Sequence, residues 1–388
     1  MGERRRGIVA IYVVLFLLSL SLHIQFPIFT PYAVALGATS FFISILMSVS
    51  SFANLCGNLI AGPLIDMFGK KQFIVVPLFI SGILMAGHGF ATGPDGLLVL
   101  RLVNGLVLAF MTPACFALLS GYARNSHEQG KNMAFNGLLI TIANILAPLI
   151  GGHLVEHVDF RGAYFVIGSA LLLTAVFALL FIKEFEPITV HRKKVESGGR
   201  FRFDQQLVAV YFVSFTLMYV HGTLMYELPF LMVEEGVSMS HGGKLFSIIG
   251  LGTLVVVCMT WIHRISASIR TMVGMLVLGF SFYQMVMPLV PITFHQLLFL
   301  IGMGLGVLFP AVTTLLTENT DKSKHGTAFG ILSAVFSLGM ITSSLIAGAF
   351  RDMISPYFIT FVVIGIAVTV IGMSLIHVRW KPVLHKKH

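Results

Sequence analysis

Charge is scarce in this 388-residue chain. Asp, Glu, Lys and Arg together make up 11% of it, where an ordinary soluble domain carries about 25%. A water-facing shell around a core of this size is thereby excluded. Cysteine is scarce too: Cys56, Cys115 and Cys258 all fall inside apolar stretches, which excludes a disulfide framework. A Gly-Lys-Ser/Thr phosphate-cradling loop is missing, as is any polar segment long enough to hydrolyse a nucleotide. That excludes a nucleotide-driven pump within this chain; neither an enzyme nor a cofactor is expected. We expect no metal site, since the histidines and cysteines suggest no ligand cluster.

Apolar residues, by contrast, make up 56% of the chain. They fall into twelve long stretches, at 7–33, 40–62, 72–90, 97–120, 134–153, 162–182, 207–233, 242–261, 271–291, 294–317, 327–349 and 356–378, and about 20 such residues cross a bilayer as a helix. The expected class is an all-α polytopic membrane protein. Met1 to Leu22 has the look of a secretory leader, but its apolar run continues to Pro31 without a small-residue cleavage site, so it is taken as a retained first helix. The net charge of +9 does not signal nucleic acid, because the basic residues sit in short loops. With the N-terminus inside, 21 of the 25 Lys and Arg fall on the cytoplasmic side, and only Arg161 and Arg351 fall in outer loops. This asymmetry predicts an even number of spans and two cytoplasmic termini.

The longest polar segment, 183–206, is expected to be a cytoplasmic linker between an N-terminal six-helix bundle, 1–182, and a C-terminal one, 207–388. Its basic run, around Arg192, Lys193 and Lys194, can meet anionic lipid or simply be a solvated topogenic loop. The halves echo each other: Gly105 and Pro113 match Gly302 and Pro310 at a displacement of 197, Ala134-Phe135 matches Ala328-Phe329 at 194, and Gly152 matches Gly348 at 196. Parallel six-helix repeats about an axis normal to the membrane are a transporter design.

Three segments carry a resemblance: the loop Gly62-Pro63-Leu64-Ile65-Asp66-Met67-Phe68-Gly69-Lys70-Lys71; Arg101, Asn104 and Gly105 of the fourth stretch; and Ala143 to Gly152 of the fifth. On these residues the chain resembles the major facilitator superfamily, and within it the twelve-helix drug/proton antiporter-like exporters, over essentially its full length. The loop matches Gly-x-x-x-Asp-Arg/Lys-x-Gly-Arg/Lys-Arg/Lys with Met67 in place of one basic residue. The resemblance implies a gating loop formed by Gly62, Asp66, Gly69, Lys70 and Lys71. Asp66 is expected to cap a helix junction, and Gly69 to permit a tight turn. Asn104 stands where the family has Gln. The fifth stretch looks like the antiporter signature Gly-Pro-x-x-Gly-Gly through Ala147, Pro148, Gly151 and Gly152, with Ala replacing the first Gly. In the family that pattern accompanies export. Small residues there allow close helix approach, and Pro148 interrupts the hydrogen-bond ladder.

Of the sixteen acidic residues, only Glu227 lies well inside a stretch. Tyr219, Thr223, Tyr226 and Glu227 share one helix face and are expected to line a substrate cavity together with Asn104. A carboxyl in low dielectric favours its neutral form, so Glu227 is the candidate proton carrier; permanent pairing or permanent protonation is the alternative. Arg101 lies at a similar depth by helical rise and is expected to pair with Glu227 when the outer side is closed; alternatively it snorkels to the surface. His23, near Gln25, Pro27 and Pro31, either assists coupling or is a hydrogen-bonded histidine of the bundle.

The sequence therefore predicts two pseudo-symmetric six-helix bundles forming a proton-coupled secondary transporter, which exports small amphiphilic organic compounds by alternating access. Expected partners are a small-molecule substrate, protons and membrane lipid, in a monomer of a bacterial cytoplasmic membrane. Export of a carboxylate-bearing metabolite or metallophore, proton-driven import, and a sensor or lipid scramblase stay open as rivals.

Overall fold

The computed structural model describes residues 2–123, 125–183, 203–321 and 324–384. Most of the expected linker, including its basic run, lies outside the described residues. Within them every regular element is helical: α1 Gly2–His23, α2 Phe26–Ala35, α3 Ser40–Phe68, α4 Gln72–His88, α5 Pro94–Gly121, α6 Ser126–Phe181, α7 Gln205–Glu234, α8 Met239–Cys258, a 3₁₀ turn Thr260–Arg264, α9 Ala267–Val286, α10 Phe294–Glu318, α11 His325–Phe350 and α12 Pro356–Leu384. Ten segments, α1 and α2 counting as one, are long and apolar enough to cross a membrane, and α4 is a shorter apolar helix. With α6 divided at its kink, this is consistent with the expected twelve. Leu59, Ile83, Leu173 and Leu276 are exposed large apolar side chains on these helices, the outward face a lipid solvent requires.

Helix ends follow local chemistry. Thr39 accepts from the Phe42 amide at 3.2 Å to start α3, Asn125 from Glu128 at 2.8 Å to start α6, Asp204 from Leu207 at 2.8 Å to start α7, and Thr293 with Gln296 forms a capping box at α10. Pro94 opens α5 from the first turn, where its missing N–H has no helical partner to lose. The expected loop between 153 and 162 is a correction. Helix α6 continues through these residues and breaks only at Asp159 (φ 59°, ψ −177°). The Asp159 carboxylate accepts from the Gly162 amide at 2.7 Å and so caps the segment that follows. Charged residues around 156–161 suggest a loop, but without a Pro among them nothing ends the helix before Asp159.

The chain packs as two compact units, one of Met1–Arg192 with Met225–Ser247, the other of Lys193–Leu224 with Ile248–His388. In the first, α3 packs on α5, α4 on α5 and α6, and α1 on α6; in the second, α9 packs on α10 and α12. One end of the first unit gathers Arg4, which donates to the Tyr122 carbonyl and lies 4.0 Å from Glu128, and Lys183, whose carbonyl accepts from the Tyr122 hydroxyl at 2.5 Å. The N-terminus, the α5–α6 junction and the end of α6 thus share one end, as an even number of crossings between them demands.

The repeat is visible in packing. A Cβ on Gly105 of α5 would strike the Ser50 carbonyl of α3, and a Cβ on Gly302 of α10 would strike the Ile249 carbonyl of α8. Beside these approaches, Asn54 donates to the Gly105 carbonyl at 3.4 Å and Thr253 to the Gly302 carbonyl at 2.9 Å. Ser50 and Asn54 precede Ile249 and Thr253 by the same 199 positions. Each unit therefore builds the same glycine-mediated helix crossing with the same kind of polar bond.

Candidate functional site

Arg101 projects from α5 into an aromatic nest of the first unit. Its guanidinium carbon lies 3.4 Å from the centroid of the Phe29 ring of α2, and the Tyr164 hydroxyl of α6 is beside it. Tyr164 stacks on His88 (4.9 Å, 16°) and packs on Tyr32 at 5.3 Å, whose hydroxyl donates to the His88 carbonyl at 2.6 Å. Among the described residues Arg101 makes no ion pair, and the buried Nε atom has no hydrogen-bond partner. The aromatic face offsets part of the cost of holding a cation there, about 2 kcal/mol for a desolvated pair. Asn104, one turn on, is 2% exposed and accepts from the Ser81 hydroxyl of α4 at 2.8 Å, which ties α4 to α5.

His23 ends α1 where the helix breaks. Its Nδ1 is 2.6 Å from the Ser19 carbonyl, and its ring meets Phe26 edge-on at 4.9 Å. Pro27 in the first turn of α2 cannot donate back to α1, which leaves the break in place. The break turns the Ile24 carbonyl towards Gly151 of α6, at a separation only a glycine tolerates.

Glu227 of α7 is 4% exposed, and among the described residues it is the one acidic side chain in the buried class. Tyr226 beside it is fully buried and donates to the Ser40 carbonyl at the start of α3, 2.8 Å away. Both belong to the first unit. Tyr219 and Thr223 belong to the second, where the Thr223 and Thr360 hydroxyls are 2.9 Å apart.

The predicted signature segment of α6 lies against the first two turns of α8. Ala147 and Pro148 are buried, as are Gly151 and Gly152. A Cβ on Gly152 would collide with the Met239 carbonyl, and one on Gly243 with the Pro148 carbonyl. Ser247 donates to the Ile145 carbonyl at 2.6 Å, a carbonyl within the stretch of helix that Pro148 interrupts. Beyond Gly152, Glu156 accepts from the Ser240 amide at 2.9 Å, and His153 approaches the Ser240 hydroxyl at 3.2 Å.

In the predicted gating loop, Gly69 holds φ 95°, ψ 149° and its amide bonds the Ile65 carbonyl, a conformation open to glycine alone. The expected capping by Asp66 needs correction. Asp66 is exposed in the last turn of α3, and among the described residues no side chain bonds the first turn of α4, which follows Lys71 directly. The Asp is one helical turn too early to reach those amides. Gly62 is exposed, with open space where a Cβ would lie.

A family model described as Major Facilitator Superfamily matches residues 11–341 and again 272–387. The chain belongs to the Major Facilitator Superfamily. It is 22% identical over 363 residues to an uncharacterized MFS-type transporter of Methanocaldococcus jannaschii, covering 91% of this chain and 93% of the relative. It is 25% identical over 354 residues to the multi-drug resistance efflux pump PmrA of Streptococcus pneumoniae, covering 86% of each. Among solved structures, a bacterial homologue of the human lysosomal transporter Spinster superposes with a TM-score of 0.77 at 16% identity, covering 95% of this chain and 96% of that one. The protein is therefore a multi-pass membrane transporter and not an enzyme.

For this superfamily member, sequence reasoning missed several residues of the α6–α8 seam: Ser240, Gly243 and Ser247 on α8, His153 and Glu156 on α6. The small residues of α8 recur at i, i+3 and i+7, a spacing that marks close helix packing but does not name the partner helix. His153, Glu156 and His157 also read as H-x-x-E-H, with the two histidines spaced i, i+4, an order known from metal sites. Here His157 Nδ1 lies 2.8 Å from the His153 carbonyl while Glu156 serves Ser240. Among the described residues no three His, Cys, Asp or Glu side chains gather as a metal site.

Proposed function

We propose that this transporter exports small amphiphilic organic compounds in exchange for protons, with Glu227 as the proton carrier. The observation that carries the reading is the burial of Glu227, the one acidic side chain so placed among the described residues, within an apolar helix. The carboxyl takes up a proton while the site opens to one side and gives it up when the site is rehydrated on the other. Exchange follows when cargo and proton occupy the cavity in turn. The naming of PmrA as a multi-drug efflux pump and the small-residue seam along α6 support export.

In this reading the bundles 1–182 and 207–388 rock about a midplane site, joined through 183–206. The protein is a monomer in a bacterial cytoplasmic membrane with both termini inside, and it needs no cofactor beyond the proton gradient. Tyr219, Thr223, Tyr226 and Asn104 face cargo when the cavity opens, and His23 lies along the proton's route. Arg101 is the group Glu227 meets when the outer side closes.

A second reading is export of a carboxylate-bearing metabolite. Arg101 favours it, because its described neighbours are aromatic and none is an acid.

Inverted vesicles with an acidic interior test the proposal. Wild type should accumulate ethidium, and Glu227→Gln should abolish the gradient-driven part while leaving ethidium binding intact. Undiminished accumulation by Glu227→Gln sinks the coupling role. Accumulation of a fluorescent carboxylate in place of ethidium selects the second reading.

A further inference from the structure

The end of the first α6 segment remote from Arg4 carries a group of polar side chains that the transport reading does not use. Ser240 is the second residue of α8, so its amide is one of the first-turn donors that a helix cannot satisfy itself. Glu156 of α6 supplies the acceptor, 2.9 Å away. The Ser240 hydroxyl lies 3.2 Å from His153 Nδ1 and 3.3 Å from Nε2, and His153 Nδ1 is 3.8 Å from Glu156 Oε2. The His241 amide of the same turn is capped locally, donating to the Ser238 hydroxyl at 3.3 Å. A helix start capped by a carboxylate from another helix couples the two mechanically.

The bonds below make this a seam rather than a chance contact. Glu156, Gly152, Pro148 and Ile145 follow one face of α6 and meet Ser240, Met239, Gly243 and Ser247 in order. The lower part is close backbone approach at Gly152 and Gly243 with the one Ser247 hydroxyl bond below it. The Glu156–His153 pair alone is half open to water, with side-chain exposures of 34% and 57%, so it is the part that water and protons reach.

We propose that Glu156 and His153 form a detachable clasp that fastens α6 to the first turn of α8 and sets the balance between the closed and open states of that side. Acidification tightens it. The proposal rests only on the alternating-access part of the function proposed above. The carboxylate bond to the amide is present at neutral pH. When His153 gains a proton, an imidazolium stands beside the carboxylate and adds attraction, so the fastened fraction rises as pH falls from 8 to 5.5. The other charged or titratable groups at this end are His157, held to the His153 carbonyl, Asp159 and Arg161 beyond the kink, His241 and Lys244 of α8, and Glu234 and Glu235 just before it. Of the groups at this end, only His153 contacts both Glu156 and Ser240 in the bonds described. In the orientation expected from charge, this end faces outside, so an acidic exterior holds the gate shut until cargo binding opens it.

The test uses the full chain in lipid nanodiscs, with exposed Cys56 and Cys258 changed to serine and spin labels on Val158 and Val237. At pH 7.5 the wild-type distance distribution should be dominated by the short population. Glu156→Ala should raise the long population about tenfold to a hundredfold, the scale set by losing a hydrogen bond to a charged acceptor. Glu156→Gln, which keeps an oxygen acceptor, should restore much of the short population. His153→Ala should leave the short population in place but remove the two- to fivefold tightening between pH 8 and 5.5, the range for an exposed pair. An unchanged distribution in Glu156→Ala overturns the clasp, and so does a pH response that survives His153→Ala. Because distances are read without transport, a protein that moves no ethidium yet shows these shifts keeps the clasp and loses the proposed function.

Discussion

Replacing Gly105 or Gly302 by alanine tests the repeat at its tightest points. A Cβ on Gly105 would lie 3.0 Å from the Ser50 carbonyl carbon and α-carbon, and nearer still to the oxygen; on Gly302 it would lie 2.8 Å from the Ile249 carbonyl carbon and 3.0 Å from its α-carbon. The opposing atoms are backbone, so no rotamer change relieves the clash and the helices must part. Overpacking of this kind costs about 1–3 kcal/mol. Parting also stretches the Asn54 bond to Gly105 and the shorter Thr253 bond to Gly302, interhelical bonds worth about 0.6 kcal/mol in a membrane. Against this, alanine is about 1 kcal/mol better than glycine as a helix former. The net loss is about 1–2 kcal/mol per site, larger for Gly302, and lowers the thermal midpoint by about 2–8 °C. Gly330, with open space around its Cβ position, supplies the control: Gly330→Ala should leave the midpoint unchanged or raise it. Melting of purified protein followed by intrinsic fluorescence reads all three variants. The sites lie in separate units and share no partner, so the double variant should lose the sum. If Gly105→Ala and Gly302→Ala melt no lower than Gly330→Ala, the equivalence of the two crossings is wrong.

Other substitutions probe single bonds. Gly69→Ala places a side chain at φ 95°, a strain of about 1–3 kcal/mol; melting should fall and transport with it, whereas Gly62→Ala should do neither. A double-mutant cycle of Ser81→Ala with Asn104→Leu should give a coupling of about 0.6 kcal/mol, and zero coupling refutes the α4–α5 tie. Phe29→Leu removes the ring beneath Arg101 and should destabilise by about 0.5–2 kcal/mol. The same change in an Arg101→Met background should cost less, and equal losses in both backgrounds would show that the ring acts through packing alone. Ser247→Ala frees the Ile145 carbonyl and should lower stability by about 1 kcal/mol, read as a lower melting midpoint; an unchanged midpoint argues against that bond.

Class and span pattern were legible because lipid imposes one requirement on every stretch, apolar side chains over a helical length, and that requirement is written locally. Gly105 and Gly302 were legible for a related reason: a glycine recurring at a fixed offset inside an apolar helix has few uses other than close approach. A loop is expected between 153 and 162 because polar residues such as Glu156 and Arg161 suggest one, while only the backbone at Asp159 breaks. Partners were the part that could not be read. Arg101 and Asn104 could be picked out by type and spacing. Their neighbours Phe29, Tyr164 and Ser81, however, come from three other helices, and nothing local to α5 names them.

The same limit explains why the polar end of the α6–α8 seam escaped notice and why it matters. A glutamate and a histidine near the end of a membrane helix look like solvated residues, and taken singly that is what they are. Their meaning comes from Ser240, whose amide exists as an unmet donor only because α8 begins there. A helix start is therefore a recognition element created by folding, and its partner is chosen by geometry rather than by motif. The buried glycines of the seam make the contact close, but closeness between backbones is hard to switch. A half-exposed carboxylate and imidazole placed at the rim add what the glycines lack, an interaction whose strength responds to the solution outside.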